Sequence, residues 1–330
     1  MRRSPLISPA EHFRTPTMDL ALLPLYPLGL LIVLIGLLLG LLGGGGSILL
    51  VPTLVFLAGW SVQQAILSAL IVVGITSLVA LIGHARQKTV CWKNGAVFGA
   101  SGMIGAYGGG HLARELPSDL LLLLLAIMMI WTSLSMLVSP RQRPTDIRRD
   151  DQPACPTRLN LPEVLFDGFL VGTMTGLIGV GGGFVIVPAL HLLGKLPIRS
   201  AIGTSLLVIS MNCVAAFFGM SGEVPVEAGL TAIMTGLAII GALVGQAFAQ
   251  HAKQTILRRL FALMALAIAG TLIQKELQSH TQDAFSDLWI QHRDFLKGFL
   301  TALGLMFLYW MRGLSHHRHP NIANESISLN

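Results

Sequence analysis

The chain has 330 residues, of which 53% are hydrophobic, 12% charged and 7% aromatic, and its formal net charge is +6. A soluble domain carries about a quarter charged residues, so half of the usual surface charge is missing and an ordinary cytosolic enzyme is excluded. The positive balance does not describe a nucleic-acid surface either. The arginines sit in short segments between apolar runs, where membrane proteins retain Lys and Arg on cytoplasmic loops.

Residues 1–19 hold Arg2, Arg3 and Arg14, interrupted by prolines and Glu11, with no small-residue cleavage site behind a short apolar core. They read as a tail rather than a signal peptide. Apolar stretches follow at 20–58, 62–83, 95–110 and 120–138. Runs 62–83 and 120–138 contain no Asp, Glu, Lys or Arg and are about as long as a bilayer core requires. A polar linker at 139–160 comes next, with Arg141, Arg143, Arg148, Arg149, Arg158, Pro144, Pro153 and Pro156. Further apolar stretches lie at 165–193, 202–221, 228–250, 257–273 and 295–310. The expected organisation is therefore a tail (1–19), a first transmembrane repeat (20–138), a cytoplasmic linker (139–160), a second repeat (161–273) and a C-terminal segment (274–330) with one further helix. Cys91, Cys155 and Cys213 are far apart and form no C-x-x-C. Neither a disulfide framework nor a zinc site is expected from them.

The two halves are alike. The text from Gly40 to Leu54 can be laid without a gap on that from Gly176 to Leu190, with Pro52 on Pro188. The register persists, placing Ala65-Ile66 on Ala201-Ile202, Gly105 on Gly241 and Gly109 on Gly245. Paired repeats are the sequence mark of many secondary transporters. Each half opens with a stretch too long for one straight helix: 20–58 would extend ~58 Å at 1.5 Å per residue, against a core of ~30 Å. Gly43, Gly44, Gly45 and Gly46 are poor helix formers, and Pro52 removes a further donor. A discontinuous or re-entrant segment is expected, and backbone broken at that depth must be surrounded by protein or a wet cavity. Loop 83–94 carries Arg86, Lys88 and Lys93, whereas its counterpart 219–228 carries Glu223 and Glu227. Likewise 111–119 has Arg114 beside Glu115 and Asp119, and its counterpart has Lys253, Arg258 and Arg259. This antisymmetry predicts inverted repeats, with the N-terminus outside and the linker, Arg312 and Arg318 inside.

Where a helix breaks and restarts, its new N-terminus offers unpaired N–H groups and the positive end of the peptide dipole, which suit an anion. The candidate binding groups are Gly43 to Gly46 with Ser47 and Thr53, and Gly179 with Gly181, Gly182 and Gly183, where Phe184 leaves the backbone alone to serve. The competing reading is that the glycines let helices pack closely. Polar residues inside the apolar runs form a second tier: Gln63, Gln64, Thr76 and Ser77, then Thr204, Ser205, Ser210 and Asn212. Helix-to-helix hydrogen bonding is the commoner use of such groups. Asp167, Arg86, Lys297 and His84, His111, His191 and His251 are the ionisable groups near the core, all close enough to segment ends to reach an interface. Gly99-Ala100-Ser101-Gly102 matches the G-x-S-G around the nucleophile of rhomboid proteases, but no histidine follows in a later core segment to act as its base. No H-E-x-x-H and no G-x-x-x-x-G-K-[ST] occurs, and neither a metal nor a cofactor is expected.

With these motifs the chain resembles the sulfite exporter TauE/SafE family over about 29–273. The text that carries the resemblance is Gly-Gly-Gly-Ser-Ile-Leu-Leu-Val-Pro52, Gly-Val-Gly-Gly-Gly-Phe-Val-Ile-Val-Pro188 and Ala201-Ile-Gly-Thr-Ser-Leu206. It implies a cytoplasmic-membrane permease for sulfite, sulfonates or other small organic anions. By motif position it implicates Gly43 to Gly46 with Pro52, Gly179 with Gly181 to Gly183 and Pro188, and Thr204 with Ser205. The first half departs in having Ser68-Ala69 opposite Thr204-Ser205. The expected protein is an all-helical polytopic secondary transporter working by alternating access, with a small anion, coupled protons and the lipid bilayer as partners and no nucleic acid. A homo-oligomer is compatible with it. An anion channel and a Ser101 protease are the alternatives.

Overall fold

The computed structural model describes residues 25–138, 155, 161–179, 181–192, 196–222, 224–248 and 254–279. The expected tail, most of the linker and the stretch at 295–310 lie outside the described residues. Among those described there is no strand. Ten helices follow one another: α1 Leu25–Leu42, α2 Leu50–Leu57, α3 Val62–Arg86, α4 Trp92–Glu115, α5 Ser118–Val138, α6 Leu161–Ile178, α7 Gly183–Leu192, α8 Ile198–Met220, α9 Ala228–Phe248 and α10 Gln254–Ser279. Val62–Arg86, Leu161–Ile178, Ser200–Met220 and Ala228–Phe248 are long and apolar enough to cross a membrane. Ile104, Phe166, Phe218 and Ile240 stand exposed on the outside of the bundle, a distribution that suits lipid and that water-soluble surfaces avoid in bulk.

The helices start and stop for local reasons. Ser61 caps α3, its hydroxyl accepting from Gln64 N–H while the Gln64 side chain accepts from Ser61 N–H, a reciprocal capping box. The α4–α5 corner is held by Gln63, whose amide donates to Leu116 O at 3.5 Å and whose Oε1 accepts from the Ser118 hydroxyl at 3.2 Å. Gln63 and Gln64 are therefore spent on helix ends.

Helix packing is set by small residues. α1 lies along α9, with Gly36 against Ala238, Gly40 against Ala242, Gly241 against Val33 and Gly245 against Leu37. α6 lies along α4 in the same manner, with Gly172 against Gly102, Gly176 against Ala106, Gly105 against Phe169 and Gly109 against Thr173. In each case a β-carbon on the glycine would strike the facing backbone, so the helix axes approach as closely as small-xxx-small faces permit. The partners recur in the register that lays Gly40 on Gly176. Residue numbers rise together in both pairs, so each runs parallel.

α3 and α8, equivalent in that register, pack differently. Gly74 faces Cys213 at 3.1 Å and Gly203 faces His84 at 3.4 Å, so the two helices run antiparallel. The α3–α4 turn consequently sits at the end where α8 begins, while Gly222, beyond the end of α8, sits against Arg114 near the end of α4.

One expectation is corrected: Cys91 and Cys155 form a disulfide across 64 residues of sequence. Spacing did not reveal it because the chain has to travel along α4 and return before the two meet. α5 starts beside the beginning of α3, and its 21 residues cover ~32 Å on the way back toward the start of α4. Cys213 is a free, buried thiol.

Candidate site at the meeting of two helix breaks

α1 ends in Gly43 and Gly44, with φ of 68° and 116°, values that L side chains rarely adopt. Gly44 N–H donates back to Leu39 O at 3.1 Å, and both the N–H and the hydroxyl of Ser47 donate to Gly44 O. The chain then reverses as a short 3-10 turn, Gly45–Leu49. A β-carbon on Gly46 would strike Ile35 O of α1, so the returning strand of chain lies directly on the helix it has just left. α2 completes this re-entrant hairpin, and the Thr53 hydroxyl donates to Leu49 O at 2.7 Å. Pro52 is buried within α2.

The second half breaks in the same way. Gly179, Gly181 and Gly182 have φ of 72°, 69° and 66°. Gly179 N–H donates to Thr175 O at 2.9 Å, and α7 restarts with Val185 and Ile186 donating to Gly182 O. The Pro188 side chain lies outside the described residues.

These two breaks meet. A β-carbon on Gly44 would lie 2.6 Å from Gly183 Cα and 2.5 Å from Ile209 Cδ1, and one on Gly183 would strike Gly44 Cα. Gly181 faces Val73 at 2.7 Å and Ile209 at 3.2 Å. Each break also rests on the central helix of the opposite half, Gly43 on Ile202 of α8 and Gly179 on Ile66 of α3. The junction is fully buried, and backbone meets backbone there.

The candidate hydroxyls divide into two groups. Ser47, Thr53, Ser205 and Ser210 are committed to backbone carbonyls: Ser205 donates to Gly43 O at 2.9 Å and Ile202 O at 2.7 Å, and Ser210 to Leu207 O at 2.8 Å. Thr204 accepts from Cys91 N–H at 3.0 Å. Asn212 differs. It is 0% exposed, its amide abuts Gly102 of α4, and neither Nδ2 nor Oδ1 has a partner among the described residues. Thr76 Oγ1 and Ser77 Oγ are likewise buried without a partner. The register that lays Gly40 on Gly176 lays Thr76 on Asn212. An unmatched buried polar group costs about 1–3 kcal/mol, and such groups call for an explanation.

Other sequence candidates fall elsewhere. His84 lies under Gly203 and its Nδ1 is 3.3 Å from the Thr89 hydroxyl. His111 pairs with Glu115 on the exposed end of α4 at 3.8 Å. Arg86 is exposed and Asp167 half-buried toward the start of α6. The side chains of His191, His251 and Lys297 lie outside the described residues. The Ser101 hydroxyl donates to Phe98 O at 2.9 Å, which is a helix-internal use. Sequence reading missed Asn94, whose Nδ2 is buried at the start of α4 without a partner among the described residues. Its place inside a basic loop gave no signal of burial.

A multi-pass helical bundle whose two halves each carry a buried, glycine-broken hairpin defines the class of polytopic membrane transport proteins. The chain belongs to the sulfite exporter TauE/SafE family, whose model matches residues 28–272. A Xylella fastidiosa protein named "Probable membrane transporter protein" is 32% identical over 252 residues, covering 74% of this chain and 94% of the relative. "Probable membrane transporter protein YunE" of Bacillus subtilis is 32% identical, covering 55% of this chain and 74% of the relative. A Methanocaldococcus jannaschii protein, also named as a probable membrane transporter, is 29% identical, covering 56% of this chain and 69% of the relative. No solved structure matches the chain. The protein is thus a membrane transporter and not an enzyme.

Proposed function

We propose that the protein moves a small anion, a sulfur oxyanion, sulfonate or related organic anion, across the cytoplasmic membrane by alternating access between two inverted repeats. The observation that carries this reading is the juncture itself: two glycine breaks abut at Gly44 and Gly183, beside central helices whose Asn212, Thr76 and Ser77 have no side-chain partner among the described residues. Separating the breaks would expose helix-start N–H groups, and the Asn212 amide lies on the same helix as Ile209 of the junction. Donors of this kind with no carboxylate among them favour an anion. The antiparallel course of α3 and α8 and the parallel pairs α1 with α9 and α6 with α4 support inversion, because equivalent helices then point opposite ways. The backbone closure favours a carrier over an open channel. Either the substrate gradient or coupled protons would supply the drive.

The test is counterflow of radiolabelled sulfite, thiosulfate and taurine in liposomes holding the purified protein. Saturable exchange of one of these, lost in Gly45→Leu and Gly182→Leu variants that still reach the membrane, is the expected result. Unchanged exchange in both variants would remove the breaks from the transport path. Labelling of single cysteines placed at Lys88 and Val226 should report opposite faces of the membrane; the same face would refute inversion.

A further inference from the structure

We infer that the Cys91–Cys155 disulfide is a thiol-exchange site, opened from the cytoplasm by small thiols and coupled through α8 to the first helix break. The sequence around both cysteines holds several basic residues: Arg86, Lys88 and Lys93 near Cys91, and Arg148, Arg149 and Arg158, with Asp150 and Asp151, near Cys155. Such a distribution marks a cytoplasmic face. Disulfides on that side of a membrane are not permanent staples but transient or redox-sensing bonds.

The local geometry suits exchange. Cys155 is exposed, whereas Cys91 is 2% exposed and occupies the position immediately before α4. An incoming thiolate reaches Sγ of Cys155. As the new S–S bond forms, the Sγ–Sγ bond breaks and its electron pair leaves on Cys91, where the positive end of α4 stabilises a thiolate. A second small thiol then displaces Cys155 and releases the small disulfide. The two protein cysteines are reduced, two small thiols are oxidised, and the thiol protons end on the cysteines.

The bond is joined to the transport machinery by two further contacts. Cys91 N–H donates to the Thr204 hydroxyl at 3.0 Å, and the next residue, Ser205, donates to Gly43 O in the first break at 2.9 Å. Opening the disulfide therefore releases one end of a short chain of contacts whose other end is the break. The assignment rests on the proposed sidedness, and its readouts require no transported substrate, so its failure is separable from failure of the transport reading.

The experiment uses full-length protein in inverted and right-side-out membrane vesicles, treated with reduced glutathione and then with a polyethylene-glycol maleimide. One label per chain, on the exposed Cys155, should appear in inverted vesicles only, and oxidised glutathione should abolish it, with the Cys91 and Cys213 thiols, each 2% exposed, silent throughout. Amide hydrogen exchange at Cys91 and around Gly43 should quicken by roughly tenfold on reduction, equivalent to ~1.4 kcal/mol, and Cys155→Ser should show the fast rate without reductant. Opening only in right-side-out vesicles would make the bond an external staple and overturn the inference. So would thiols that stay labelled in oxidised glutathione, or amide exchange that is the same in both states.

Discussion

Gly44→Ala, set against Gly59→Ala, isolates what the contact between the breaks contributes. Gly59, at φ 69°, incurs the left-handed penalty of about 1–2 kcal/mol, and Gly44, at φ 116° and outside the left-handed well, incurs at least as much; each is offset by roughly 0.4–1 kcal/mol from the stiffer unfolded chain. Gly59 has nothing within 4 Å of its would-be β-carbon, and its variant should lose only ~1 kcal/mol. At Gly44 the added methyl meets Gly183 Cα at 2.6 Å. That neighbour is backbone and cannot rotate away, which adds about 1–3 kcal/mol of overpacking. The buried thiol of Cys213, 3.5 Å from the β-carbon position of Gly181, is a reporter built into the junction. Its maleimide labelling rate in detergent follows the opened population. The excess of ~1–3 kcal/mol at Gly44 corresponds to labelling about 5-fold to 150-fold faster than in Gly59→Ala. Equal rates in the two variants would refute the argument that the breaks close against each other.

Asn212→Leu removes two unmatched buried polar atoms, worth about 1–3 kcal/mol each, and adds volume against Gly102 that costs back about 1–3 kcal/mol. The variant should label at Cys213 no faster than wild type and yet lose exchange activity in liposomes; the reverse pattern would make Asn212 a packing residue. Gly172→Ala places a methyl against Gly102 O and should lower the yield of folded protein, whereas Gly236→Ala, in open space on α9, should stabilise by up to ~1 kcal/mol through helix propensity. Comparable yields from both would show that α4 and α6 do not depend on their close approach. Ser101→Ala should leave exchange unchanged, because its hydroxyl serves only Phe98 O.

Much of this architecture is legible in the residues because membrane helices leave few choices. The excess length of 20–58, the run Gly43 to Gly46 and Pro52 together require a break, and the break lies at Gly43 and Gly44. What could not be read is which helices lie side by side. Gly36, Gly40, Gly241 and Gly245 are visible as small residues at helical spacing, but nothing local says that α1 seeks α9 rather than α3. The disulfide was illegible for the same reason, since it follows from where α5 returns the chain. The polar candidates were not separable in sequence. Ser, Thr and Gln in an apolar run have carbonyls and helix ends at hand to bond, as Ser47, Ser205, Ser210 and Gln64 do. A buried asparagine is harder to satisfy locally, since its amide has both donors and acceptors to match.

The position of α3 and α8 explains why one closed point can govern both halves. Each break rests on the other half's central helix, Gly43 on Ile202 and Gly179 on Ile66. α3 and α8 meet each other at Gly74 and Cys213. A shift of either half must therefore disturb the break of the other, because interiors packed backbone to backbone rearrange between discrete states rather than deform smoothly. Two breaks that cannot move independently suit the proposed opening toward one face at a time. That coupling follows from the crossed contacts alone.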